Sequence, residues 1–143
     1  MRALLMAAAV LIGLGGIARA QEPANLSQAD QAAIRQVITR QLSAFRHDDA
    51  TAAFALAAPH IQQMFGDAAH FLNMVRTQYQ PVYRPRATAF GALISVGGTI
   101  VQRMEVVGPD GSPDLALYTM QHEPDGSWRI DGCMLVKTKG VEA

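Results

Sequence analysis

The first half of the chain alternates apolar and polar residues with the period of an α-helix. After a lead that predicts a flexible segment ("QEPANL", residues 21–26), Ser27 is a typical N-cap, with Asp30 three positions later as in a capping box. The apolar positions that follow recur at helical spacing: Ile34, Val37, Ile38, Leu42 and Phe45. The pattern predicts an amphipathic helix of about five turns, ending near His47.

Shorter helical segments come next. "TAAFALAA" predicts an alanine-rich helix that ends at Pro59, and "HIQQMF" predicts one or two turns closed by Gly66. Asp67 is a typical N-cap for "AAHFLNMVRTQY", whose apolar residues share one side. Two prolines in "QPVYRPR" (residues 80–86) then predict a linker without regular structure.

The second half is rich in β-branched and apolar residues and is interrupted by turn sequences. Four strands are predicted: "ATAFGALISV", "TIVQRMEVV", "DLALYTMQHE" and "SWRIDGCMLVK". Gly97-Gly98 indicates a two-residue hairpin, "GPDGSP" a longer loop, and Pro124-Asp125-Gly126 a tight turn. We therefore expect one α+β domain over residues 21–143, with N-terminal helices packed on a four-stranded antiparallel meander.

The last turn predicts how the two final strands pair. With Glu123 opposite Ser127, the helix-facing pairs are His122 with Trp128, Met120 with Ile130, Tyr118 with Gly132 and Ala116 with Met134. The same count places Asp131 and Cys133 on the opposite face, where Cys133 would be a buried small hydrophobe. The stretch "GSWRIDGCMLV" then serves mainly in packing, with Gly132 leaving room for the Tyr118 ring.

The N-terminus has the features of a secretory signal peptide. Arg2 is followed by an apolar run over residues 3–18 and by "ARA", a small-x-small cleavage site ending at Ala20. The run is shorter than the roughly 20 residues that a spanning helix needs. We therefore expect residues 1–20 to be removed, without stable membrane insertion after cleavage, and the domain to be periplasmic or extracellular.

Charge and cysteine content narrow the possible partners. Twelve basic and twelve acidic residues become ten and twelve when Arg2 and Arg19 are removed, a net charge of −2. This balance gives no basic footprint for nucleic acid. The single Cys133 cannot form a disulfide within the chain.

Few residues carry recognisable chemistry. The four histidines are not paired at helical spacing, and no nucleophile motif or phosphate loop is present, so we assign no metal, cofactor or catalytic residue. Five residues are candidates for ligand binding. Tyr118, Gln102 and His122 are expected on the inward face of the sheet, and Arg84 and Arg86 could hold an anion at a pocket rim or simply be solvated.

Several segments together resemble a bacterial secreted family, domain of unknown function 4864. They are "AFRHDDATAAFALAAP", "MFGDAAHFLNMV", "YQPVYRPR", "QRMEVVGPDG", "LALYTM" and "PDGSWRIDGCMLV", between about Ala32 and Val136. The order of elements is also similar to the nuclear-transport-factor-like (cystatin-like, cone-shaped) superfamily. That resemblance implies a bent sheet around the long helix and a pocket between them. Its members include isomerases, dehydratases and non-catalytic binding or dimerising proteins, so the fold alone does not assign a function.

Three function classes remain open at this point. The first is an exported, non-catalytic domain that binds a small ligand or a partner protein, and it is the expectation that we carry forward. A pocket acid–base enzyme of the isomerase or dehydratase type, and a purely structural or dimerising domain, are the alternatives. An apolar outer sheet face predicts a homodimer, and its expected members are Val101, Val107, Leu115, Leu117 and Leu135.

The signal peptide makes a direct prediction. After expression with export, the mature chain should begin at Gln21 and be found in the periplasm or medium. Intact-mass measurement checks the N-terminus. A membrane-bound product that keeps residues 1–20 would contradict it.

Overall fold

A computed structural model describes residues 22–138. The expected signal peptide and the predicted mature N-terminus at Gln21 lie outside these residues. The helices are α1 (Gln28–Arg46), α2 (Ala50–Ala55), α3 (Pro59–Phe65), α4 (Ala68–Gln78) and α5 (Gln80–Tyr83). The strands are β1 (Glu22–Pro23), β2 (Ala87–Val96), β3 (Thr99–Val107), β4 (Pro113–His122) and β5 (Trp128–Lys137). None of the helices within residues 22–138 is both long enough and apolar enough to span a membrane.

The helices follow the sequence pattern closely. Ser27 Oγ accepts a hydrogen bond from the Asp30 amide at 3.0 Å, and Asp67 Oδ1 accepts one from the His70 amide at 2.9 Å. Gly66 ends α3 with φ of 83°, a left-handed conformation that favours glycine. All five apolar positions predicted for the first helix are buried in α1. Local caps and periodicity were therefore sufficient to predict these elements.

The predicted linker is wrong in one respect, because residues 80–83 form the helical turn α5. Val82 and Tyr83 are buried there, and the Tyr83 ring lies 5.7 Å from the Phe45 ring. Proline is tolerated in the first turn of a helix, where its missing N–H has no partner to lose. Packing against α1 thus orders a segment that its own sequence leaves unspecified.

The sheet is an open antiparallel meander in the order β1-β2-β3-β4-β5. It has five strands rather than the predicted four, because Glu22 and Pro23 pair with Ser95 and Ile94 at the edge of β2. Proline is compatible with such an edge position. The Gly97-Gly98 hairpin is confirmed, with φ of 58° and 87°, as a type I′ turn requires.

The pairing of β4 with β5 is as predicted only near the turn. Met120 lies opposite Ile130, but Thr119 lies opposite Gly132, so Asp131 is an extra residue in a β-bulge. The predicted pairs of Tyr118 with Gly132 and of Ala116 with Met134 are therefore wrong. Tyr118 lies opposite Cys133 and Ala116 lies opposite Leu135. Since strand side chains alternate, one extra residue exchanges the faces of every later position in β5.

The core lies between the helices and the inner face of the sheet. Trp128 is 5% exposed, and its indole Nε1 donates to Asp30 Oδ1 at 3.1 Å, which joins β5 to the first turn of α1. The His122 ring stacks on the Trp128 ring at 4.2 Å, with the two planes 5° apart. The opening half of "GSWRIDGCMLV" is therefore packing, as expected.

The Trp128–Asp30 contact predicts a measurable coupling. Trp128→Phe keeps an aromatic ring but loses the indole N–H, so it should lower the free energy of unfolding by about 2–3 kcal/mol. Asp30→Ala keeps the backbone amide that bonds Ser27. The two substitutions together should cost at least about 1 kcal/mol less than the sum of the single ones. Additive losses in a denaturant-unfolding cycle would contradict the contact.

Candidate functional site

A cavity of about 360 Å³ lies between the helices and β4 and β5. Its walls are mostly apolar side chains from α1, α3 and α4, with Ile130 and Ala57 on the sheet side. Met64 is 66% exposed and also lines the cavity, which places it at the mouth. A cavity of this size and character is typical of small-molecule sites.

The segment between α2 and α3 closes one side of this cavity by pairing with β5. The Ala58 amide donates to the Ile130 carbonyl at 2.8 Å, and the Ile130 amide donates to the Leu56 carbonyl at 2.9 Å. These bonds cover the outer edge of β5 just before the bulge at Asp131. The cavity wall is thus held by backbone hydrogen bonds as well as by packing.

Three weak acids form the polar part of the wall: Tyr79, Tyr118 and Cys133. The Tyr118 hydroxyl is fully buried and makes no well-formed hydrogen bond within residues 22–138. Burial, and secondarily the neighbouring Cys133, raises the pKa of Tyr118 well above 10.0 and also raises the pKa of Tyr79. All three groups are therefore neutral at pH 7, and neutral phenols and thiols are hydrogen-bond donors.

Among the described residues, no Lys, Arg, His, Asp or Glu side chain lines the cavity. Two glutamines, Gln41 and Gln78, complete its polar groups. Gln41 is buried, and its Nε2 donates to the Ala53 carbonyl at 3.1 Å. The side chains that line the cavity within residues 22–138 therefore offer hydrogen bonds but no charge to a molecule inside it.

Gln102 does not line the cavity, and its side chain instead bonds to the backbone of the sheet. It lies opposite Tyr118 on the inner face of β3 and is fully buried. Its Nε2 donates to the Gly91 carbonyl at 3.0 Å and to the Arg103 carbonyl at 2.8 Å. Gly91 belongs to an irregularity of β2, so this amide supplies hydrogen bonds that the strand pairing leaves unmade.

The other predicted ligand-binding residues also lie away from the cavity. His122 is exposed beside the final turn, with Nε2 3.2 Å from the Gly126 carbonyl. Arg84 contacts Asp48 Oδ1 at 2.9 Å, and its guanidinium stacks 4.3 Å from the Tyr83 ring centre. The Arg86 guanidinium lies beside Gly111 in the loop after β3. Of the five candidates, the structure therefore places only Tyr118 in the cavity wall.

Tyr79 and Cys133 were not predicted as site residues. Tyr79 continues the spacing of Phe71 and Val75 by a further four positions, so helical periodicity could have found it. Cys133 faces the cavity because of the bulge at Asp131, and no local sequence signal indicates that bulge. Its expected burial holds in part, although it lies on the opposite face from the one predicted.

An imidazole–carboxylate pair lies next to cavity-lining segments. His60 Nε2 contacts Asp131 Oδ1, which links α3 to the bulge in β5. His60 precedes Ile61 and Asp131 follows Ile130, two residues that line the cavity, but neither side chain of the pair lines it. Its evident role is to hold α3 against the sheet. Within residues 22–138, no group of three or more His, Cys, Asp or Glu side chains could hold a metal ion.

The buried position of the Cys133 thiol predicts that it reacts slowly with reagents in solution. Burial raises its pKa from 9.0 to about 12, with a smaller lowering from Tyr118, so a water-soluble maleimide should label it very slowly at pH 8. Gln63→Cys in a Cys133→Ala background is the matched control, because Gln63 is exposed on α3. The control should label at least about tenfold faster. Equal rates would contradict the burial of Cys133.

The same pKa predicts how stability changes at high pH. The folded thiol keeps its proton up to about pH 12, whereas the unfolded thiol ionises near pH 9.0. The folded state therefore loses stability as the pH rises between these values. Cys133→Ala should remove this contribution, which urea unfolding at pH 8 and pH 10.5 would measure. An unchanged pH dependence in the variant would contradict the raised pKa.

The chain matches a known protein family over most of its length. The model of a family described as a domain of unknown function (DUF4864) matches residues 27–143. No curated protein and no solved structure matches the chain. That description assigns no activity, so functional arguments depend on the cavity. Because the match covers most of the sequence, the chain belongs to the DUF4864 family.

Proposed function

We propose that this protein binds a small, neutral and largely apolar molecule in the cavity between its helices and sheet, without transforming it. The observation that carries this proposal is an apolar cavity of about 360 Å³ whose polar groups, among residues 22–138, are uncharged. The proposal continues the expectation from the sequence and adds the chemical class of the ligand.

The buried donors favour a ligand with one acceptor oxygen. The Tyr118 hydroxyl makes no well-formed hydrogen bond within residues 22–138 and is already removed from water, so a carbonyl, ether or hydroxyl oxygen could accept a hydrogen bond from it without a further desolvation cost on the protein side. Cys133 and Tyr79 lie in the same part of the wall. One hydrogen bond of this kind contributes about 0.5–1.5 kcal/mol net.

The described part of the chain contributes no charged side chain to the cavity wall, which disfavours ionic ligands. A carboxylate moved into an apolar cavity without a cation partner loses much of its hydration. Arg84 and Arg86, the predicted anion-binding candidates, do not line the cavity, and Arg84 is paired with Asp48. An anionic ligand would therefore bind more weakly than its neutral counterpart.

A non-catalytic role is favoured over the acid–base alternative for two reasons. A Cys133 thiol with a pKa of about 12 is a poor nucleophile near neutral pH. The side chains of the His60–Asp131 pair do not line the cavity. General acid–base catalysis requires the group within hydrogen-bond reach of the substrate.

We also propose export and a wider structural relationship. Export is supported by the signal-peptide features of residues 1–20. Relationship to the nuclear-transport-factor-like superfamily is supported by helices followed by an antiparallel meander. In an exported protein of this superfamily, the cavity would be the superfamily's pocket and would be accessible to molecules outside the cytoplasm.

A matched pair of ligands tests the charge preference. 1-Octanol and octanoate share the same chain and differ in the head group. At pH 7.5, octanol should bind at least about tenfold more tightly, because only octanoate must bury a charge without a partner. Titration calorimetry and the shift in melting temperature measure the binding of each compound. Tighter binding of octanoate would contradict the uncharged cavity as the site.

A pair of tryptophan substitutions on α3 tests whether octanol binds in the cavity. Ile61→Trp should fill the cavity and abolish octanol binding, whereas Gln63→Trp, exposed on the same helix, should leave it unchanged. Tyr118→Phe should weaken binding by roughly 2–12-fold, the loss of one hydrogen bond. If Ile61→Trp raises stability and neither alcohol nor acid binds the wild type, the cavity is a packing defect and the proposal is wrong.

A further inference from the structure

The face of the sheet that points away from the helices, here called the outer face, is strongly apolar. It contains Ile94, Val101, Leu115, Leu117, Met134 and Val136, which surround a shallow groove of about 720 Å³. Met134 is 61% exposed and Val136 is 38% exposed. Leu135, expected on this face from the sequence, lies on the inner side because of the bulge at Asp131.

Two opposite charges interrupt this apolar face at its centre. Arg103 and Glu105 lie two residues apart on β3, so both side chains are on the outer face. Arg103 is half-buried and Glu105 is exposed. Within residues 22–138, neither side chain takes part in an ion pair or a side-chain hydrogen bond. Each charge therefore lacks a partner on its own chain in this part of the structure.

The residues beside these charges form two matching rows across the strands. Arg103, Leu117 and Met134 lie next to one another in one row. Glu105, Leu115 and Val136 form the adjacent row. Each row thus has one charged residue on β3 followed by apolar residues on β4 and β5.

We propose that the outer face binds a second copy of this chain, related by a two-fold axis that crosses β3 between Arg103 and Glu105. This axis lies in the plane of the interface and runs across the strands. Rotation about it places each strand over its own copy in the opposite direction, so the two rows exchange. Arg103 then faces Glu105 of the partner subunit, and the reciprocal pair forms on the other side of the axis. A two-fold interface requires this kind of self-complementary surface.

The same axis brings apolar residues together on either side of the two charge pairs. Leu117 faces Leu115 of the partner subunit, and Met134 faces Val136 of the partner subunit. In the next rows, Val101 faces Val107 of the partner subunit. Face-to-face sheets pack about 10 Å apart with strands within roughly 30° of alignment, which such an arrangement permits. The order of the two charges and the apolar surface around them are therefore both complementary to a second copy of this chain.

Charge reversal tests this arrangement and its axis. The purified wild-type chain should sediment as a dimer at tens of micromolar, roughly the range in which a weak dimer is populated. Arg103→Glu alone sets two acidic side chains against each other, and Glu105→Arg alone sets two basic ones. Each single variant should raise the dimer dissociation constant at least about tenfold, because like charges face one another across the interface.

Mixing the two single variants is the decisive measurement. In a mixed dimer every charge pair is attractive again, so an equimolar mixture should recover dimers that neither variant forms alone. The double variant Arg103→Glu with Glu105→Arg should also dimerise, whereas Leu117→Glu should remain monomeric in either charge background. Melting temperatures close to wild type would show that each variant is folded.

The possible results distinguish a second copy of this chain from other occupants of the outer face. A monomeric wild type would mean that solvent, a different partner or residues 139–143 cover this face, and it would overturn the proposal. A wild-type dimer whose charge variants are not rescued by mixing would place the interface or its axis elsewhere, and would overturn it equally. Failure of octanol to bind would leave the dimer proposal unaffected, because the two sites are on opposite faces of the sheet.

Discussion

One extra residue in β5 determines much of what this molecule can do. A strand presents its side chains to alternate faces, so the bulge at Asp131 exchanges the faces of all later positions. Cys133 and Leu135 turn towards the helices, while Met134 and Val136 turn outwards. The thiol in the cavity wall and the positions of Met134 and Val136 on the outer face are two consequences of the same irregularity.

The bulge is stabilised by contacts on three sides. Next to it, the Ile130 backbone bonds to Leu56 and Ala58 in the segment between α2 and α3. The Asp131 carboxylate contacts His60 on α3. Gly132 lies opposite Thr119, where an added Cβ would be 3.0 Å from Thr119 Oγ1. A larger residue there would force Thr119 to move, so glycine permits the close approach that the bulge creates.

The two faces of the sheet therefore carry different chemistry. The inner face joins a packed core to a cavity whose polar groups, among the described residues, are neutral donors. The outer face combines apolar side chains with the two opposite charges of β3. Strand β5 contributes side chains to both the proposed ligand cavity and the proposed dimer face.

The sequence by itself determined the elements that depend on near neighbours. Caps at Ser27 and Asp67, the helical spacing of α1 and the Gly97-Gly98 turn were predictable because each requires residues only a few positions apart. The bulge, the helical turn α5 and strand β1 were not, since they depend on backbone and side-chain partners far away in the chain. The inward position of Tyr118 was predicted from strand alternation, whereas Cys133 faces the cavity only because of the bulge. The register of a strand depends on tertiary contacts, and here a bulge that no local sequence signal indicates decided which β5 side chains face the helices.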